Sequence, residues 1–141
     1  MTERPAAVGL VGGGVIGAGW AARFLLNGVD VQLYDPAPQT ERIVAEVLEN
    51  GRRAYDRLTL TPLPRVGSLE LFDSREEAAA GGVLVQESAP ERLELKQELL
   101  AAVERGAGDD TLICSSTSGL RPTDLQERLE QRHEDVVSAA L

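Results

Sequence analysis

Cysteine is nearly absent from this chain, and the single Cys114 rules out an internal disulfide. Histidine occurs once, as His133, and nowhere do His, Cys, Asp and Glu fall at metal-ligand spacing. No apolar run approaches the length of a membrane span. The start, from Met1 to Pro5, lacks the basic and apolar regions of a secretory signal. Positive charge is also scarce, with 14 Lys and Arg against 23 Asp and Glu and a formal net charge of −9. A polyanion is repelled at long range by such a surface, which argues against nucleic acid and anionic membrane as partners. There is no internal repeat and no low-complexity tail. What remains is an ordinary globular composition, 43% hydrophobic and 26% charged over 141 residues. The expectation is one domain with a real core, in a reducing cytoplasm.

Strand-like and helix-like runs alternate along the chain. Strands are expected at Ala7–Val11, Val29–Tyr34, Ser68–Phe72, Val83–Gln86, Thr111–Cys114 and Asp135–Ala139. Helices are expected at Val15–Leu26, Gln39–Leu58, Ser74–Ala80, Pro90–Arg105 and Thr123–Gln131. Asn27-Gly28 is a stop signal for the first helix. The second carries an apolar stripe through Ile43, Val47, Ala54 and Leu58. Ser74-x-x-Glu77, Ser88-x-x-Glu91 and Thr123-x-x-Gln126 read as capping boxes for the last three. Pro62 and Pro64 keep Thr59–Gly67 a loop. Strands separated by helices make βαβ units, so the expected fold is α/β, a doubly wound parallel Rossmann sheet.

The motif that gives this fold a ligand opens the chain. Val8-Gly9-Leu10-Val11 runs into Gly12-Gly13-Gly14-Val15-Ile16-Gly17, a G-x-G-x-x-G between a strand and a helix. Gly12 allows the tight turn, Gly14 lets backbone approach a pyrophosphate, and Gly17 lets the helix pack closely on the sheet. The helix N-terminus offers N–H groups and partial positive charge to the phosphates. Asp35 ends the second strand, where a carboxylate accepts hydrogen bonds from ribose hydroxyls. An acid there repels a 2′-phosphate and no arginine directly follows it, so NAD is favoured over NADP. Gly12, Gly13, Gly14, Val15, Ile16, Gly17 and Asp35 are the cofactor-binding candidates.

Two further blocks carry a resemblance. Gln86-Glu87-Ser88-Ala89-Pro90-Glu91-Arg92-Leu93-Glu94-Leu95-Lys96 and Cys114-Ser115-Ser116-Thr117-Ser118-Gly119-Leu120 resemble motifs of the 3-hydroxyacyl-CoA dehydrogenase superfamily. Their spelling, with the opening G-G-G-V-I-G-A-G-W, is most similar to its L-carnitine dehydrogenase branch. The resemblance runs from about residue 6 to 137. It implies NAD-dependent hydride transfer, a secondary alcohol at carbon 3 being oxidised to a ketone. The implied substrate is a small 3-hydroxy acid, with carnitine favoured. It also implies that Ser118 hydrogen-bonds the substrate oxygen and that Glu91 lies by the nicotinamide end of the cofactor. The family's proton acceptor is a histidine in an H-P-F-N-P segment, which its spacing sets near residue 139 or 140. Here the sequence reads Val137-Ser138-Ala139-Ala140-Leu141. The expectation is a C-terminally truncated Rossmann domain, without the family's helical substrate and dimerisation domain and inactive alone. An uncovered sheet edge would make it marginally stable. A non-catalytic dinucleotide-binding module and a 3-hydroxyacyl-CoA dehydrogenase are the competing expectations.

Other residues have plainer readings. His133 is expected in a solvent-facing loop, Cys114 in the strand core and Trp20 in packing. Arg52, Arg53 and Arg57 read as a solvated helix face. Glu87, at a strand end, ranks below Glu91 as a site residue. Lys96 is the one lysine, which disfavours CoA as a ligand, since the acyl-CoA enzymes of the superfamily use a lysine-rich extension.

Overall fold

A computed structural model describes residues 7–130 and the backbone of 136–138. Strands β1 (Ala7–Val11), β2 (Asp30–Tyr34), β3 (Leu69–Leu71), β4 (Leu84–Glu87), β5 (Leu112–Ser115) and β6 (Val136–Ser138) form one parallel sheet in the order β3-β2-β1-β4-β5-β6. This is the doubly wound Rossmann order. The chain reverses direction across the sheet between β1 and β4, and a crevice opens there at the carboxyl ends of the strands.

Alternation along β1 divides the core into two. Val8 and Leu10 face a cluster with Ala18, Ala21 and Leu25 of helix α1 (Val15–Leu26), Val31 and Leu33 of β2, and Val44 of helix α2 (Thr40–Leu58). Val11 faces the other cluster, with Leu99, Leu100 and Val103 of helix α4 (Leu93–Gly106), Val85 of β4 and Ile113 of β5. The sheet is therefore covered on both faces, which accounts for its near-continuous apolar strands. Helix α1 stops where expected, because Gly28 adopts φ 78°, a conformation a side chain resists. The short helix α3 (Arg75–Ala79) also starts where expected, with the Ser74 hydroxyl accepting the Glu77 N–H at 3.1 Å.

Three local expectations fail. The helix expected from Pro90 begins at Leu93, and no side chain caps it. Its would-be cap, Ser88, instead lies 2.8 Å from the Ser116 hydroxyl, so Glu91 sits on a loop and not in a capping box. The helix expected over Thr123–Gln131 is only the single turn α5 (Pro122–Leu125), with Pro122 in its first turn and no Thr123 cap. The apolar stripe of α2 is covered only in its first half: Ile43 and Val47 are half-buried against the core, but Ala54 and Leu58 face solvent. Arg52, Arg53 and Arg57 are exposed as expected, and Trp20 packs on Phe24 with ring centroids 5.8 Å apart. His133, Ala139 and Ala140 lie outside the described residues.

Candidate functional site

The crevice at the β1–β4 switch is a cleft of about 600 Å³. Gly12, Gly14, Val15, Ile16, Asp35 and Glu91 all line it. Gly13 and Gly17 are not among its lining residues; Gly13 donates its N–H to Asp35 and Gly17 packs on the Gly12 carbonyl. Elements far apart in sequence thus bring the cofactor candidates together around one opening.

The glycine loop has the geometry a pyrophosphate needs. Gly12 takes φ +103°, and a Cβ there would lie 2.8 Å from the Ser88 backbone. A Cβ on Gly17 would lie 1.8 Å from the Gly12 carbonyl oxygen, so helix and loop meet only with glycine at both positions. Around Gly14 no protein atom comes within 4 Å of a Cβ position, which leaves the open side of the loop to a ligand. The 12-residue α1 begins with no side-chain cap and no acid in its first turn. Its leading N–H groups and partial positive charge therefore face the cleft uncompensated by a carboxylate of the helix itself.

Asp35 is oriented by backbone. Its Oδ2 accepts the Gly13 N–H at 2.6 Å and its Oδ1 accepts the Ala37 N–H at 2.7 Å. These bonds tie the end of β2 to the glycine loop and fix the carboxylate at the rim. A carboxylate has about four acceptor sites, so two stay available for a ribose diol.

Across the cleft the construction is different. Glu87 closes β4 and is completely buried, and Lys96 of α4 is 2% exposed. The ammonium lies 2.9 Å from Glu87 Oε1 and 3.1 Å from Oε2. Oε1 also accepts the Ala89 N–H at 2.7 Å, and Oε2 accepts the Ser115 hydroxyl. The Ser115 and Thr117 hydroxyls lie 2.8 Å apart, and Ser115 Oγ accepts the Thr117 N–H at 3.2 Å. A parallel lacing runs from Gln86 Nε2 to Ser116 Oγ at 2.8 Å and on to Ser88. One buried ion pair therefore holds α4, the end of β5 and the loop that carries Glu91. Full hydrogen bonding on both carboxylate oxygens is the condition under which two charges survive burial.

The substrate candidate Ser118 stands apart. It is exposed on the loop after β5, three residues beyond Ser115, and is not among the residues lining the cleft. Sequence reasoning ranked Glu87 below Glu91, yet Glu87 is the hub and Glu91 an exposed rim residue. It also missed Lys96 as an internal cation and Tyr34, Pro36, Arg75, Leu95 and Leu99 as cleft walls. The available signal for Lys96 was its place between Leu95 and Leu99 on the buried face of a helix, in a chain that otherwise uses arginine. Cys114 is buried, and burial pushes its thiol pKa up, which removes it as a nucleophile. Among the described residues no group of three His, Cys, Asp or Glu could hold a metal, and no helix is long and apolar enough to cross a membrane.

This sheet order and glycine cradle define a dinucleotide-binding Rossmann domain. Residues 7–139 match the family described as 3-hydroxyacyl-CoA dehydrogenase, NAD binding domain, and the chain belongs to that family, with NAD as its cofactor. It is 53% identical over 119 residues to the L-carnitine dehydrogenase/betainyl-CoA thioesterase of Rhizobium sp, a match that covers 84% of this chain and 24% of that protein. It is 44% identical over 131 residues to the L-carnitine dehydrogenase of Oceanobacillus iheyensis, covering 93% and 43%. The chain therefore spans less than half the length of these relatives. Among solved structures, an NAD+-dependent dismutase, 5-formyl-3-hydroxy-2-methylpyridine 4-carboxylic acid 5-dehydrogenase, superposes with a TM-score of 0.82 at 29% identity, over 97% of this chain and 44% of that one. The 3-hydroxybutyryl-CoA dehydrogenase of Escherichia coli has the same fold, with a TM-score of 0.79 at 22% identity, over 99% and 30%.

Proposed function

We propose that this chain is the cofactor-binding part of an NAD-dependent L-carnitine 3-dehydrogenase. The observation that carries this reading is identity of 42–53% to proteins of that name over 84% or more of the chain. NAD supplies the hydride acceptor. The glycine loop and the α1 N-terminus hold the pyrophosphate through backbone N–H groups, and Gly14 gives it room. Val15 and Ile16, 88% and 50% exposed, present apolar side chains to its flank. Asp35 receives the adenosine ribose hydroxyls and repels a 2′-phosphate. Glu91 stands at the rim toward the nicotinamide end, and Ser118 hydrogen-bonds the substrate hydroxyl. With NAD held there, the cofactor would supply the acceptor for the C3 hydride, and the hydroxyl proton would need a base. In the family pattern that base is a histidine, and Ala139-Ala140 stands at its place.

A 3-hydroxyacyl-CoA substrate is the competing reading. It finds little support in this half of the enzyme, because the one lysine is sealed in the Glu87 ion pair. The test is a chimera in which residues 1–138 replace the matching segment of the Oceanobacillus iheyensis L-carnitine dehydrogenase. NADH formation at 340 nm with L-carnitine, and none with 3-hydroxybutyryl-CoA, is the expected result. A chimera that binds NAD but oxidises only the acyl-CoA would overturn the substrate. One that folds and binds no NAD would overturn the whole reading.

A further inference from the structure

Among the described residues one cation lines the cleft, Arg75, and its only ion pair is a long one. Arg75 opens α3 and lines the cleft together with Tyr34, Asp35 and Pro36. Its side chain is 24% exposed, and the nearest carboxylate, on the largely exposed Glu98, is 3.6 Å away, beyond hydrogen-bond range. Its Nε is buried without a hydrogen-bond partner among the described residues. What holds the guanidinium is an aromatic face: its central carbon lies 5.8 Å from the Tyr34 ring centroid. Arg75 is thus a flat cation, backed by Tyr34 and facing a cleft.

The order of groups in a dinucleotide says what meets it. The pyrophosphate belongs over Gly12–Gly17 and the adenosine ribose at Asp35, so the base continues past Pro36. The cleft residues left for it, not claimed by pyrophosphate or ribose, include Tyr34, Arg75, Leu95 and Leu99. Such a slot of apolar and planar groups suits a purine, and a guanidinium stacks on a π-face without needing a fixed hydrogen-bond pattern.

We propose that Arg75 is the adenine-recognising residue of this chain, its guanidinium stacking on the purine with Tyr34 as the layer beneath. This rests on NAD binding in the cleft and adds a side chain that reads the base. It also fits the discrimination assigned to Asp35: the cation is held against Tyr34 and serves the base, while the acid serves the ribose.

The test follows ADP-ribose and nicotinamide mononucleotide, each added to millimolar levels to the unmutated chain, Arg75→Ala and Arg75→Lys, by nitrogen–proton NMR. In the unmutated chain the Arg75 Nε–H signal, assigned by its loss in Arg75→Lys, should shift with ADP-ribose and not with the mononucleotide. Beyond that assignment, the readout is taken on the unmutated chain and needs no variant to bind. Arg75→Ala should weaken ADP-ribose by roughly tenfold, the size expected for one cation–π or stacking contact. Arg75→Lys, which keeps charge and loses the plane, should recover only part. An unmoved Nε–H signal, or equal ADP-ribose affinity in Arg75→Ala, overturns the proposal. So does a larger loss for ADP-ribose carrying a 2′-phosphate, because Arg75 would then be reading phosphate charge. If the unmutated chain binds no ADP-ribose at any concentration, the cofactor reading itself fails and this proposal with it.

Discussion

The two sides of the cleft are built on opposite principles. On the β1–β2 side, recognition is a property of backbone: three glycines, an uncapped helix start and a carboxylate held by two N–H groups. On the β4–β5 side, backbone geometry is ordinary and the loops are held by side chains around a buried ion pair. The glycine loop is rigid by sterics and tolerates no added Cβ at Gly12 or Gly17. The far side is rigid by charge and tolerates no missing partner. The first is the surface proposed to hold the cofactor, and the second is a brace on the loops that carry Glu91 and Ser118.

Lys96→Met strikes the brace and should have the largest effect on stability. It leaves Glu87 buried and unpaired, at a cost of about 3–5 kcal/mol in a denaturant melt. Adding Glu87→Leu removes the orphaned charge, so the double variant should regain much of that loss although Ala89 and Ser115 lose an acceptor. A single Lys96→Met that melts like the unmutated chain would show that the pair braces nothing. Gly17→Ala strikes the other side. With a Cβ 1.8 Å from the Gly12 oxygen the loop must shift. The expected cost is about 1–3 kcal/mol, together with loss of NAD binding measured by calorimetry. The contrast sharpens if Lys96→Met, studied where it is still folded, retains NAD binding and Gly17→Ala does not.

How much of this was readable in the chain follows the same division. The limits of β1 and α1 and the Gly28 stop were legible because glycine requirements are local: each reports on its own turn. Asp35 was legible for the same reason, one residue past a strand. Glu91 was placed in a helix because Ser88-x-x-Glu91 spells a capping box, but Ser88 found a partner 28 residues away in Ser116. A tertiary hydrogen bond between two strand ends outcompeted a local one, and no window of sequence contains both partners. Lys96 was hidden likewise, since a lysine is read as surface unless the carboxylate nine residues back is known to be sealed beneath it. The helical spacing of α2 was legible as far as Leu58, but not that Leu58 is 80% exposed, since periodicity marks a face and not what covers it.

Smaller effects test finer points. Ser74→Ala removes the one side-chain cap seen among these helices and should cost about 1 kcal/mol, read as a shift in melting midpoint. The Asp30 carboxyl is held below its ordinary pKa, chiefly by the Ser68 N–H at 2.8 Å, which ties β2 to the start of β3. Its contribution is present above the ordinary carboxylate pKa and is lost as pH falls through the lowered value. Amide exchange at Ser68 should therefore quicken only in that acidic range. Asp30→Asn should abolish the acidic step, and a step that persists would place its origin elsewhere.

The central claim, that Gly12–Gly17 and Asp35 form the NAD cradle while the opposite loop forms its wall, is tested most directly by mapping NAD onto the chain. Backbone amide signals should be followed as NAD is added to the 141-residue protein. Shifts concentrated at Gly12–Gly17, Asp35–Ala37 and Ala89–Glu91, and markedly weaker with NADP, are the predicted result. No shifts at saturating NAD, or shifts centred away from the glycine loop, would contradict it.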